Sequence, residues 1–95
     1  MVQFINLKQE APYQLLKIKY DEALKAGQKS IEAISISSYN SDIREVDSRF
    51  VNLKFVINDE LIFFSNYGSS KASAFISHDQ ISALLFWSSI NVQIR

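Results

Sequence analysis

The 95 residues include no cysteine, which excludes disulfides and thiolate metal sites and leaves no mark of redox compartment. There is one histidine, His78. Without a second histidine or a cysteine it is a poor start for a metal centre, and it reads as a turn or surface residue. No serine or cysteine stands in a pattern that marks a catalytic nucleophile. No apolar run approaches the ~18 residues that a membrane-spanning helix needs. Charge of either sign is not in excess: ten Lys and Arg balance ten Asp and Glu. That argues against a nucleic-acid partner held by bulk positive charge, and it leaves room for a local cationic pocket. The opening segment, Met1 to Lys8, has no basic start, and its apolar run is too short for a secretory signal. The expectation is a soluble, cytoplasmic protein with no nucleic-acid or membrane partner. No repeat, linker or low-complexity segment interrupts the chain. What is present is a hydrophobic fraction of 47% with seven Phe, four Tyr and one Trp. This is enough for one domain with a modest core.

Residues 1–10 read as an irregular lead-in. Pro12 suits the first turn of a helix, where its missing N–H costs nothing. Tyr13, Leu16, Tyr20, Ala23 and Leu24 then recur at three- and four-residue steps on one face. Asp21 and Lys25 are spaced i,i+4 in the favourable order. Gly27 fits the position just past the helix end. The spacing predicts a helix over Pro12–Ala26. Ile31–Ser38 alternates, with Ile34 and Ile36 on one side and Ser35 and Ser37 on the other, which is a half-buried strand. Tyr39 to Asp42 has turn composition. Ser48–Ile57 is a strand with Val51, Leu53 and Phe55 on the core face and Phe50, Asn52 and Lys54 on the other. Asn58 to Glu60 is a hairpin turn without glycine, and Leu61–Ser65 is the return strand. After Gly68 a short helix spans Ser70–Ser77, followed by strands over Gln80–Trp87 and Ile90–Arg95. The fold class is α+β: an antiparallel sheet or partial barrel, an N-terminal helix, and a short helix between strands.

Most chemistry sits between Ser48 and Lys71. Arg49 opens a strand, Lys54 follows five residues on, and Lys71 follows Gly68, Ser69 and Ser70. An arginine fork, a lysine and a helix N-terminus with small hydroxyl residues suit a phosphate monoester. Taken alone, an Arg and a Lys on a strand are ordinary solvated cations.

The order of these pieces resembles the pyridoxamine 5'-phosphate oxidase family. Arg49-Phe50-Val51-Asn52-Leu53-Lys54 matches the family's Arg-x-Val-Leu-Leu-Lys strand, and Phe63-Phe64-Ser65-Asn66 its Phe-Tyr-Thr-Asn strand. Gly68-Ser69-Ser70-Lys71 matches its Ser-Arg-Lys helix start. Phe86-Trp87 and Gln93-Ile94-Arg95 match its aromatic-Trp pair and Gln-Val-Arg strand. The pattern runs without a gap from Ser48 to Arg95, about half the chain. It implies an FMN-binding split barrel, here as the N-terminal FMN-binding part of the family's chain, in a single domain over 1–95 that lacks the family's C-terminal part. It implies FMN contacts at Arg49, Phe50, Val51, Asn52, Lys54, Phe64, Ser65, Ser70, Lys71 and Gln93, with Lys54 also touching substrate. Gln93 is the position that reaches flavin across a subunit interface, so a homodimer is implied. Phe64 keeps the ring of the family's tyrosine without its hydroxyl, and Ser65 keeps the hydroxyl of its threonine. Ser70 stands in place of an arginine and removes one fork from the phosphate clamp.

The function implied is FMN-dependent oxidation of pyridoxine or pyridoxamine 5'-phosphate to pyridoxal 5'-phosphate, with dioxygen as acceptor. No catalytic residue is assigned, because the cofactor carries the chemistry. The alternative is a non-catalytic flavin-binding or dimerisation module of the same fold. A third reading is an interaction domain that uses an exposed edge strand, since the sequence ends at Arg95 inside an expected strand.

Overall fold

The computed structural model describes residues 1–64 and 70–95, with side chains described over 1–64 and 73–95. Its elements are β1 (Gln3–Ile5), α1 (Ala11–Lys25), β2 (Ala33–Asn40), β3 (Glu45–Ile57), β4 (Glu60–Phe63), α2 (Ser70–Ser77), β5 (Ile81–Trp87) and β6 (Val92–Ile94), with a 3-10 turn at Ser88–Ile90. Among the described residues the strands form one sheet in the order β1-β3-β2-β5-β6, and β4 also pairs with β3. All pairings are antiparallel except β1 with β3. The expected α+β architecture with an open sheet is what the chain adopts.

The helix α1 forms where its pattern places it. Pro12 lies in the first turn. At the other end Gly27, at φ +76°, takes the left-handed conformation. Its N–H donates to the Leu24 carbonyl at 3.1 Å, and the Gln28 N–H to that of Ala23 at 3.0 Å, which is the paired closure that a glycine there permits. Leu16, Tyr20 and Ala23 are buried, whereas Tyr13 is half-buried and Leu24 is exposed. Asp21 does not pair with Lys25. Its carboxylate accepts from Lys17 at 2.6 Å, one turn earlier on the same helix, where the Lys17 ammonium also lies 5.0 Å from the Phe4 ring centre.

Residues 1–10 are not an irregular lead-in throughout. β1 runs parallel to the end of β3, with Gln3, Phe4 and Ile5 opposite Phe55, Val56 and Ile57. Three residues are too few to show a period of two, so the sequence carried no strand signal there. Tertiary contacts hold β1 instead. Tyr20 Oη accepts from the Val2 N–H at 3.0 Å, and the Tyr20 ring meets Phe4 edge-on at 5.1 Å and Trp87 at 5.9 Å. Trp87 Nε1 donates to the Ile31 carbonyl at 2.9 Å. This aromatic group joins α1, β1 and β5, with Tyr20 and Trp87 each only 2% exposed.

β2 continues through Tyr39 and Asn40, which were expected to turn; the turn falls at 41–44, where Asn40 Oδ1 accepts from the Asp42 N–H and Arg44 sits at φ +55°. β3 correspondingly starts at Glu45 rather than Ser48. In the β3–β4 hairpin the missing glycine is replaced by Asn58 at φ +56°. The core-face assignment needs one correction. Leu53 is 2% exposed and Val51 packs on the core, but Phe55 is only half-buried, and Val56 takes the deepest place at 0%. The cause is a register shift against β4 between Leu53 and Phe55, which changes the phase of the strand beyond it. Near the C-terminus Ile90 belongs to the 3-10 turn, and Asn91 at φ +54° leads into β6, shorter than the expected Ile90–Arg95. The expected return strand ended at Ser65, which lies outside the described residues; β4 ends at Phe63.

Candidate functional site

Strand pairing sorts the candidate residues onto two faces. Phe50 lies opposite Ser35 on β2, and Ser35 opposite Leu84 on β5. Asn52 lies opposite Ala33, and Gln93 on β6 opposite Phe86. These side chains share the face turned away from α1. Phe50 is 76% exposed there, and Asn52, Phe86 and Gln93 are exposed. Phe50, Leu84, Phe86, Gln93, Ser35 and Lys29 line a shallow concavity of about 400 Å³ on this face. A cation and an amide at the rim of an apolar floor suit a flat ligand with polar edges, or a second protein surface.

Arg49 and Val51 face the other way, opposite Ile36 and Ile34. Arg49 is half-buried, and its Nη2 donates to the Asp47 carboxylate, two residues back on the same face. The helix α2 lies on this side. Its Phe75 ring meets Phe63 at 6.2 Å, and Ala74 shares a concavity of about 290 Å³ with Asn40, Glu45 and Asp47. Its far end is tied to the 41–44 turn, where the Ser41 N–H donates to Ser77 Oγ at 3.2 Å and the Ser41 hydroxyl to the Ser77 carbonyl at 3.1 Å. Arg49 and α2, whose first residue is Ser70, therefore sit on the same side of β3.

Lys54 stands at the register shift. It has no cross-strand partner in β4 and is exposed. Phe64 is described and exposed, with its ring 6.4 Å from that of Phe55. Ser65 and the side chains of Ser70 and Lys71 lie outside the described residues. His78 is a half-buried turn residue whose Nδ1 accepts from the Gln80 N–H at 3.2 Å, with its ring 5.5 Å from Tyr39. Among the described residues no group of three acidic, histidine or cysteine side chains could hold a metal. Nor is any helix long and apolar enough to cross a membrane.

The sheet thus puts Phe50, Asn52 and Gln93 on one face, with Phe50 and Gln93 lining one concavity, and sets them apart from Arg49 and Val51. A flavin phosphate fits at Arg49, on the side of α2, on condition that it shares or takes the guanidinium from Asp47. A flavin edge fits at the Gln93 amide, but on the opposite face of the same sheet. Asp47 and Lys29 were missed in the sequence. Asp47 had a readable signal, because an acid two residues before an arginine on a strand shares its face. Lys29 had none, since only the fold carries it to the concavity.

This arrangement has a parallel among solved structures of the split-barrel class. The chain superposes on PhzG from Burkholderia lata, solved with tetrahydrophenazine-1-carboxylic acid, with a TM-score of 0.72 and 27% identity over 80% of this chain and 37% of that one. The fold is the open split barrel of that class. The Colwellia psychrerythraea pyridoxine/pyridoxamine 5'-phosphate oxidase is 34% identical over 84 residues, 88% of this chain and 38% of its own length. The Arabidopsis thaliana chloroplastic enzyme of the same name is 33% identical over 76 residues, 80% of this chain and 14% of its own. No family model matches the chain. The chain belongs to the pyridoxine/pyridoxamine 5'-phosphate oxidase family over a part of the family's length.

Proposed function

We propose that this chain is the FMN-binding part of an oxidase of that family, oxidising pyridoxine or pyridoxamine 5'-phosphate to pyridoxal 5'-phosphate with dioxygen as acceptor, in the cytoplasm. The observation that carries the reading is the 34% identity with the Colwellia oxidase across 88% of this chain. When bound, FMN would accept two electrons from the substrate and pass them to dioxygen. Arg49 would hold the flavin phosphate beside the first turn of α2, with Ser70 and Lys71 as further donors. Val51 and the β3 backbone would support the ring, Phe64 and Ser65 would border it, and Lys54, exposed at the strand's irregularity, would reach both flavin and substrate phosphate.

Gln93 requires a second copy in this scheme. Arg49 and Gln93 lie on opposite faces of one sheet, so a single chain does not present both to one flavin. In a homodimer, Gln93 would reach the flavin held by the partner where the open face of one chain meets the Arg49 side of the other, and Phe50 and Phe86, on the same face as Gln93, would be covered there. The exposure of both phenylalanines supports this.

The chain spans less than two fifths of the Colwellia relative's length. A second reading is a non-catalytic flavin-binding or dimerisation module of the same fold. Ser70 in place of an arginine, and the engagement of Arg49 by Asp47, both favour weaker phosphate binding. Two measurements separate the readings. Flavin absorbance in the purified chain, together with pyridoxal 5'-phosphate formation from pyridoxamine 5'-phosphate, supports the oxidase. Flavin without turnover supports the module, and no flavin at added FMN rejects both.

A further inference from the structure

We propose that Asp47 competes in place for the anion that Arg49 would hold, and so sets how strongly this chain distinguishes FMN from riboflavin. The inference rests on the flavin reading above. Asp47 and Arg49 are two residues apart on β3, so alternation puts both side chains on one face, and Arg49 Nη2 donates to the Asp47 carboxylate. Asp47 also lines the concavity beside Ala74 of α2. The carboxylate therefore stands against the guanidinium, on the same side of β3 as α2.

A guanidinium fork binds one carboxylate or one phosphate in bidentate fashion. A phosphate arriving at Arg49 has two routes. It displaces Asp47, which breaks the existing pair, or it shares the fork and lies beside a like charge. Either route weakens FMN and leaves riboflavin, which has no phosphate, untouched. The pair is partly open to water, with side-chain exposures of 32% for Arg49 and 55% for Asp47, so the effect is moderate and responds to salt. The pattern Arg-x-Val-Leu-Leu-Lys begins at the arginine and says nothing of the residue two places before it. Asp47 is thus a determinant that the resemblance alone does not supply.

The test is equilibrium titration of FMN and of riboflavin, read by flavin fluorescence, into the parent chain, Asp47→Asn, Asp47→Ser and Asp21→Asn. The last removes the same charge from an exposed site on α1. Unchanged Trp87 emission verifies that each variant is folded. Both Asp47 variants are expected to tighten FMN by about 3- to 20-fold at low salt and to change riboflavin by less than about 2-fold. The gain should shrink between about 0.01 M and about 1 M salt as the Debye length falls. FMN binding that appears only in the Asp47 variants also supports the inference. Equal FMN affinity in parent and Asp47 variants overturns it and leaves the flavin reading standing. An equal gain in Asp21→Asn, or an equal gain for both flavins, also overturns it. If no variant binds either flavin, the flavin reading falls and the inference with it.

Discussion

Replacing Leu53 by Ala perturbs the residue on which the sheet turns. Leu53 is 2% exposed, in the core formed with Ile34, Val56 and Leu85. Its N–H donates to the Glu32 carbonyl at 2.8 Å, just beyond the last β2 pairing, and it is opposite Phe63 on β4. Alanine keeps that backbone bond and removes the side chain that fills the space between. Burying a leucine is worth about 1.5–3 kcal/mol, and the cavity left behind adds to the loss, so the cost should be about 2–5 kcal/mol. For a domain of this size each 1 kcal/mol lowers Tm by about 4–8 °C, so the fall should be at least about 8 °C. Urea unfolding followed by Trp87 fluorescence gives the free energy, with Asn52→Ala, one residue away on the exposed face, as a control expected to stay within about 0.5 kcal/mol. A Leu53→Ala cost below about 1 kcal/mol, or equal costs for the two variants, would refute the strand phase and the core drawn from it.

Trp87→Phe should cost about 1–3 kcal/mol, because the ring stays but the Ile31 carbonyl loses its buried donor; denaturant unfolding followed by circular dichroism checks it. Gly27→Ala should cost about 1 kcal/mol despite having open space for the new Cβ, since φ +76° is strained for alanine; calorimetry measures it, and an unchanged Tm would remove that reason for the glycine. Phe50→Lys should leave the fold intact and convert the proposed dimer to monomer in sedimentation at micromolar concentration, because it charges the most exposed part of the open face. A dimer that survives it uses another surface.

The elements that could be read from the sequence are those whose stability is local or periodic. α1 has a stripe, a proline at its start and a glycine past its end, and its bounds moved by one residue. β2 and the first part of β3 have a clean period of two, and Ile34, Ile36 and Leu53 are buried as that period requires. The misses come from contacts distant in sequence. β1 exists because Tyr20 and β3 receive it, and Val56 replaces Phe55 because the ladder to β4 slips by a residue. The candidate site divides the same way. The residues themselves stood out in order along the chain. Their separation onto two faces follows from alternation, since Arg49 and Phe50 are neighbours on a strand and must point apart. That Gln93 joins Phe50 rather than Arg49 depends on the strand order, which no local pattern contains.

The most direct test of the flavin reading is the affinity of FMN and of riboflavin for the parent chain and for Arg49→Ala. A charge-assisted hydrogen bond is worth about 1.5–3 kcal/mol, so loss of Arg49 should weaken FMN by about 10- to 100-fold, with riboflavin changed by less than about 2-fold. Equal weakening of the two flavins would contradict a phosphate held at Arg49, and a parent chain that binds neither would contradict a flavin site in these 95 residues.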